Sequence, residues 1–171
     1  MTRIGLLSDT HGYLDPTLET HFSACDEIWH AGDIGSPDVI DRLQTWGKTL
    51  RLVFGNIDEA GIRSRTQEDF FWECESVRVF MTHIAGYPGK YNKRVQAILQ
   101  QNHPGLVVCG HSHILKVMYD QVYGHLHLNP GASGRHGMHL MRTAIRFAID
   151  GAEIREMQIV ELGKRGALTT S

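Results

Sequence analysis

Apolar positions fall in short runs along the chain, and in its first third those runs alternate with stretches of helical spacing. Arg3–Ser8 (RIGLLS), Glu27–His30 (EIWH) and Leu50–Phe54 read as short buried strands. Between them, Asp15–Ser23 has helical character behind an Asp15-Pro16 capping signal. Ser36-Pro37 repeats that signal and opens a helix to Trp46, with Val39, Ile40 and Leu43 on one face. Strands alternating with helices predict parallel βαβ units. The spacing then changes. Phe70–Cys74 and Val77–Met81 flank Glu75-Ser76 as a hairpin, a helix spans Lys93–Asn102 and stops before Pro104, and Leu106–Cys109 is a short strand. The last third reads as antiparallel strands at Leu115–Val122, His125–Leu128, Ala144–Ile149 and Glu153–Val160, with Asp150-Gly151 as a hairpin turn. His125 and His127 alternate with Leu126 and Leu128, which reads as the polar face of a strand. These patterns predict one domain over residues 1–162, a parallel half joined to an antiparallel half, and a flexible polar tail over residues 163–171.

Composition narrows the class. The chain has 171 residues, 42% hydrophobic and 21% charged, with a formal charge of −2. That suits one globular domain, and the near-neutral balance argues against strong binding to nucleic acid or to anionic membrane. The first apolar run meets Asp9 too early for a signal-peptide core, and no stretch approaches the ~20 apolar residues of a membrane span. Cys25, Cys74 and Cys109 are far apart with no CxxC pair, which excludes a zinc ribbon or a thioredoxin motif and predicts buried free thiols. The expected location is cytoplasmic. The unusual number is 11 histidines, because imidazole is both a common metal ligand and a proton shuttle.

Position decides which histidines matter. Five apolar runs end on possible metal ligands: IGLLS on Asp9-Thr10-His11, EIWHAG on Asp33, LRLVFG on Asn56, VRVFMT on His83, and LVVCG on His111-Ser112-His113. In open α/β sheets the ligand site lies outside the carboxyl ends of the strands, so these deposits converge. Taken singly, each has a plain structural reading: a polar turn, a helix cap near Ser36 for Asp33, a left-handed turn residue for Asn56, a core histidine for His83. Their shared position is what favours a site. Carboxylate, imidazole and amide oxygen suit Mn²⁺, Fe²⁺, Ni²⁺ or Zn²⁺, and the lack of thiolate argues against a structural zinc. Seven ligands are too many for one tetrahedral ion and fit two ions about 3.5–4 Å apart.

The ordered blocks Ser8-Asp9-Thr10-His11-Gly12, Gly32-Asp33-Ile34-Gly35, Gly55-Asn56-Ile57-Asp58, Thr82-His83 and Gly110-His111-Ser112-His113 resemble the calcineurin-like metallophosphoesterase superfamily, in its small single-domain prokaryotic phosphodiesterase branch. Asn129-Pro130-Gly131-Ala132 resembles a further segment of that branch. The resemblance implies an α/β fold, a four-layer α/β-β/α sandwich of two mixed sheets flanked by helices. It also implies a dinuclear centre, with Mn²⁺ the leading ion. Asp9, His11, Asp33 and His113 would hold one ion, and Asp33, Asn56, His83 and His111 the other. A metal-bound hydroxide held by the bridging Asp33 would attack phosphorus in line. Where many members carry a histidine after Gly-Asn, this chain has Ile57, which transfers no proton. That disfavours phosphoprotein phosphatase chemistry and leaves the leaving-group acid unassigned, with His136 and His139 as candidates. Asn56 and Arg135 are candidate substrate contacts, although Arg135 also reads as a solvated loop arginine. Asp58 reads equally as support for the site or for its turn. Lys90, Tyr91 and Lys93 read as one wall of a cleft or as a solvated helix start, and His21, His30 and His103 as surface or structural. The expected substrate is a small phosphodiester or phosphorylated metabolite, with homo-oligomerisation left open. The rival reading is a metal-binding scaffold or protein-interaction module of the same fold, as the retromer subunit is. An amidohydrolase barrel requires ~250 residues and is set aside.

Overall fold

Three strands rise in step from the first third of the chain. These are β1 (Thr2–Leu7), β2 (Glu27–His30) and β3 (Thr49–Leu52), joined by α1 (Thr17–His21) and α2 (Pro37–Thr45). They pair in parallel with Leu7 opposite His30 and His30 opposite Leu52, so their carboxyl ends form one row. The computed structural model describes residues 1–166. After α3 (Ala60–Arg63) come β4 (Asp69–Cys74), β5 (Val77–Thr82), α4 (Lys93–Asn102), β6 (Leu106–Val108), β7 (Leu115–Asp120), β8 (His125–Pro130), β9 (Met141–Asp150) and β10 (Glu153–Lys164). Here Met81, Val108 and Leu128 form a second row at the carboxyl ends of the parallel strands β5, β6 and β8.

The strands assemble into two five-stranded sheets, β10-β9-β1-β2-β3 and β4-β5-β6-β8-β7. Both are mixed. The expected division into a parallel half and an antiparallel half is therefore corrected: β9 pairs antiparallel with β1 and β10 antiparallel with β9 at one edge of the first sheet, while β4 and β7 are the antiparallel edges of the second. Local hairpin signals identify which strands are neighbours but not the edge on which a hairpin docks.

Three apolar clusters correspond to three interfaces between layers. Ile4, Leu6, Trp29, Val79, Met81, Val108 and Phe147 pack between the sheets. Leu18, Phe22, Val39, Ile40 and Leu43 seat α1 and α2 on the first sheet, and Val95 and Leu99 seat α4 on the second. This is the four-layer sandwich. Trp29 is fully buried between the sheets, edge-on to Trp72 and Phe147 with ring centroids at 4.7 and 5.4 Å. Burying such a ring contributes about 1.5–3 kcal/mol and holds the two strand rows face to face.

Local signals mostly hold. Ser36 caps α2 by accepting from Asp38 N–H, with Pro37 at the first helical position, and Asn92 caps α4 by accepting from Val95 N–H. Asp15 accepts from Thr17 N–H at 2.9 Å, but α1 is shorter than the spacing implied. The three cysteines are free and buried. Two expectations fail. His125 and His127 are fully buried, because α4 and Tyr91 cover that face of β8. Gly163 and Lys164, expected to begin a flexible tail, are the last residues of β10; positions 167–171 of that tail lie outside the described residues. Among the described residues no helix is long and apolar enough to cross a membrane.

Candidate metal centre

The two strand rows deliver their following loops to one place. Asp9 N–H donates to Gly32 O at 2.9 Å and Gly110 N–H to His83 O at 3.0 Å, stitching neighbouring loops within each sheet. His111 N–H donates across to Asp9 Oδ2 at 3.1 Å and joins the sheets. The backbone here is strained. Asp9, His11, Asp33, His111 and His113 all have positive φ, between 46° and 70°, a left-handed region that costs a non-glycine residue about 1–2 kcal/mol. Close approach also fixes two glycines. A Cβ on Gly55 would lie 2.0 Å from Asp33 Oδ1, and one on Gly110 would lie 2.1 Å from Ser8 Oγ.

The side chains form two groups. Asp9, His11 and His113 offer ligand atoms within 4.8 Å of one another, and Asp33, His83 and His111 do the same. Asp33 stands between them: Oδ2 lies 3.6 Å from His11 Nε2 and Oδ1 lies 3.3 Å from His83 Nε2. Asp9 Oδ1 is 3.1 Å from His113 Nε2. Asn56 sits at the outer rim, with Oδ1 3.0 Å from His111 Nδ1. All seven sequence-marked ligands are thus brought together.

The donor set fits cations. Asp9 Oδ1, His11 Nε2 and His83 Nε2 are buried without a hydrogen-bond partner among the described residues. Each such orphan costs about 1–3 kcal/mol, and here they face one another. Burial pushes the Asp9 carboxyl up, but the neighbouring His113 and His83 imidazoles and the Ser8 hydroxyl outweigh it and hold the group below its ordinary range. Asp33 is likewise lowered, burial being outweighed by His83, the Ile57 N–H and His11. Both carboxylates are therefore ionised and ready to ligate. Burial lowers His11, whereas for His83 the two carboxylates outweigh burial and raise it.

Surrounding groups fix the orientation of these ligands. His83 Nδ1 lies 2.7 Å from Ala31 O, a pure acceptor, so Nδ1 carries the proton and Nε2 presents a lone pair to the site. The same logic runs through two rings at His113. His139 Nε2 donates to Gly134 O at 2.9 Å, leaving neutral His139 an acceptor at Nδ1, which lies 3.2 Å from His113 Nδ1. In the neutral ring that ligates a cation, His113 would then donate from Nδ1 and keep Nε2 for the metal. The outer partner of a ligating histidine sets its tautomer in this way. Sequence reasoning placed His139 near the site but missed this role, because nothing local marks a contact between positions 113 and 139. Asp58 supports the site from below, Oδ1 accepting from Gly35 N–H and Oδ2 from Gly55 and Ile34 N–H, so it ties the Asp33 loop to the Asn56 loop. Asn129 donates to Gly110 O at 2.9 Å and Ser112 Oγ at 3.1 Å, bracing the His111–His113 loop.

The remaining candidates lie on the loop after β8. The exposed His136 ring is 4.8 Å from the His11 ring. Arg135 is half-buried with its guanidinium 4.3 Å from the Tyr13 ring.

Two facing mixed sheets whose carboxyl ends carry two nitrogen-and-oxygen groups able to ligate a metal define a candidate metal-binding protein of the α/β sandwich kind. The sequence agrees: residues 2–152 match the calcineurin-like phosphoesterase superfamily domain, and the chain belongs to that superfamily of metal-dependent phosphoesterases. It is 30% identical over 137 residues to a probable metallophosphoesterase of Methanothermobacter thermautotrophicus, covering 75% of this chain and 76% of that one. A novel archaeal phosphodiesterase of known structure has a TM-score of 0.75 at 19% identity, over 94% of this chain and 99% of that one. Vps29 of Entamoeba histolytica, solved in complex with Zn²⁺, has a TM-score of 0.72 at 15% identity, over 93% and 98%. At those identities the two structures speak for the fold.

Proposed function

We propose that the protein is a dinuclear metal-dependent phosphoesterase that hydrolyses phosphodiesters of small metabolites in preference to phosphoproteins. The observation that carries this reading is Asp33, whose two carboxylate oxygens face two separate ligand groups. Asp9, His11 and His113 with Asp33 would hold one ion, and His83, His111 and Asn56 with Asp33 the second. Two imidazoles per group with carboxylate and amide oxygen suit Mn²⁺, with Fe²⁺, Ni²⁺ and Zn²⁺ as alternatives. Such ions supply Lewis acidity at phosphorus and activate water for in-line attack.

The chain's own residues do the positioning. Asp33 and Asp9 hold negative charge where cations are needed, Asp58 fixes the Asp33 and Asn56 loops, and Asn129 fixes the His111–His113 loop. Asn56, at the exposed rim, and Arg135, on the loop after β8, would donate to non-bridging phosphoryl oxygens. His139 has both ring nitrogens engaged and is spent as an orienting group. The exposed His136 beside His11 is therefore the side chain left to protonate a leaving group, since Ile57 cannot. Support from relatives comes from the archaeal phosphodiesterase of the same fold.

The test is turnover of bis-p-nitrophenyl phosphate by protein of measured metal content. Hydrolysis should require added Mn²⁺, stop with chelator, and be absent in Asp33→Asn; metal-loaded protein with no turnover on a panel of phosphate esters overturns the reading. A second reading, a protein-interaction module of the same fold, draws on the exposed apolar side chains of the edge strand β7, where Val117, Met118 and Tyr119 are 45, 45 and 60% exposed, and on the likeness to Vps29. An inactive but metal-loaded protein would favour it.

A further inference from the structure

Beside the ligand groups a cleft of 520 Å³ opens between the loop after β3, α3 and the start of α4. Asn56 and His83 belong to both the ligand groups and the cleft lining, so a phosphoryl group held at the ligand groups has room for one substituent there. Phe54 and Ile84 give the cleft apolar surface, with Ile84 40% exposed.

Its charged groups are arranged in an unusual way. Lys93 and Arg94 occupy the first turn of α4, which contains no acidic residue. The positive end of a helix dipole favours acids at that place, so two cations there run against the local preference. Arg94 is matched by Asp69 at 2.6 Å and also donates to Thr82 Oγ at 3.0 Å. Lys93 is exposed and has no ion pair among the described residues. Arg63, also in the lining, has its guanidinium carbon 4.3 Å from the Phe54 ring centroid and donates from Nε to Asp58 O at 2.6 Å, which holds its guanidinium in place. Glu68 is the sole carboxylate in the lining, and against Arg63, Lys93 and the Asp69-paired Arg94 it leaves the wall net positive. A surface that places cations against a dipole next to a phosphoryl site is built for a second anion.

We propose that this cleft receives the arm of the substrate beyond the reacting phosphate, and that this arm carries a second phosphate recognised by Lys93 while its body lies on Phe54 and Ile84. The substrate class is thus a phosphodiester with a second phosphate, of nucleotide size. The inference rests on the phosphoesterase reading of the neighbouring ligand groups, and binding separates the two.

The Mn²⁺-loaded protein is titrated by calorimetry with thymidine 5′-monophosphate and with thymidine 3′,5′-bisphosphate, which differ only in the second phosphate. The bisphosphate should bind about tenfold more tightly, the effect of one charge-assisted hydrogen bond. Lys93→Gln should remove that preference and Lys93→Arg should keep it. Equal binding of the two nucleotides, or a preference that survives Lys93→Gln, overturns the proposal. Turnover of bis-p-nitrophenyl phosphate is measured on the same preparation. A Lys93-dependent preference without turnover keeps the cleft and sinks the phosphoesterase reading; turnover without the preference does the reverse.

Discussion

Two groups of histidines in this protein use the same ring chemistry to opposite ends. One is at the strand ends, where His11, His83, His111 and His113 face Asp9 and Asp33. The other is inside the second sheet's outer layer, where Tyr91 OH lies 2.8 Å from both His125 Nε2 and His127 Nδ1, and His127 Nε2 lies 3.6 Å from Cys109 Sγ. At the strand ends, His11, His111 and His113 have left-handed backbone, and the orphaned ligand atoms of His11, His83 and Asp9 converge. Within β8 the backbone is a regular strand and His127 has both ring nitrogens engaged. Two buried atoms there, His125 Nδ1 and Asp120 Oδ2, also lack partners, yet they join no three-ligand group; among the described residues only the strand ends supply those. Burial and histidine content therefore do not distinguish a site from a core. Convergence of unsatisfied donors on carboxylates does, because only that arrangement is relieved by a cation.

The sharpest way to break this contrast is to mutate each region. Asp33→Asn should lower metal-dependent turnover by about 10³-fold or more, the scale of losing a main electrostatic group. Tyr91→Phe should leave turnover intact while costing about 1–3 kcal/mol of stability, because two buried imidazoles lose their shared partner. Steady-state kinetics beside urea unfolding would read both. Loss of activity in a folded, metal-loaded Tyr91→Phe would mean that the regions are not separable.

Next in size is the response to acid. Burial pushes His127 down to about 4, below the 6.5 of a free imidazole. As pH falls the unfolded chain takes up this proton first, so the contribution is whole above about 6.5 and drains away toward about 4, a loss of about 3 kcal/mol by the bottom of that window. Chelated protein unfolded by urea at several pH values should lose stability across that window, with His30, also pushed down to about 4 by burial, adding to the loss. His127→Gln should flatten the slope by about 1.4 kcal/mol per pH unit. An unchanged slope would place the titrating group elsewhere.

The smallest effect concerns the outer ring of the metal centre. His139→Ala should weaken Mn²⁺ binding about tenfold by freeing the His113 tautomer, with the melting temperature of chelated protein nearly unchanged. Fluorescence-monitored Mn²⁺ titration reads the affinity directly. Undiminished affinity would reduce His139 to a packing residue.

Much of this was legible before any coordinates. Glu27–His30 and Lys93–Asn102 form their strand and helix at the positions set by residue spacing, because their apolar periods and caps are local. The seven ligands were legible because five runs end on them, and a parallel strand delivers whatever follows its carboxyl end to the same edge. Three things were not. The buried pair of Asp15 and Arg142, both 2% exposed at 2.6 Å, links residues far apart in the chain. The concealment of His125 and His127 depends on α4 docking over β8, so alternation alone misread them as exposed. The distribution of antiparallel strands between the two sheets depends on pairings between strands far apart in sequence, such as β9 with β1.

By itself, then, the sequence determined the inventory of short strands, the capped helices and the set of Asp, His and Asn side chains at strand ends, all properties of neighbours along the chain. Only the tertiary structure decided that Asp33 stands between two ligand groups, that His139 orients His113, and that Lys93 faces the same opening as His83. Those relations arise where two packed sheets bring distant loops within hydrogen-bond range, and no local period encodes such a distance.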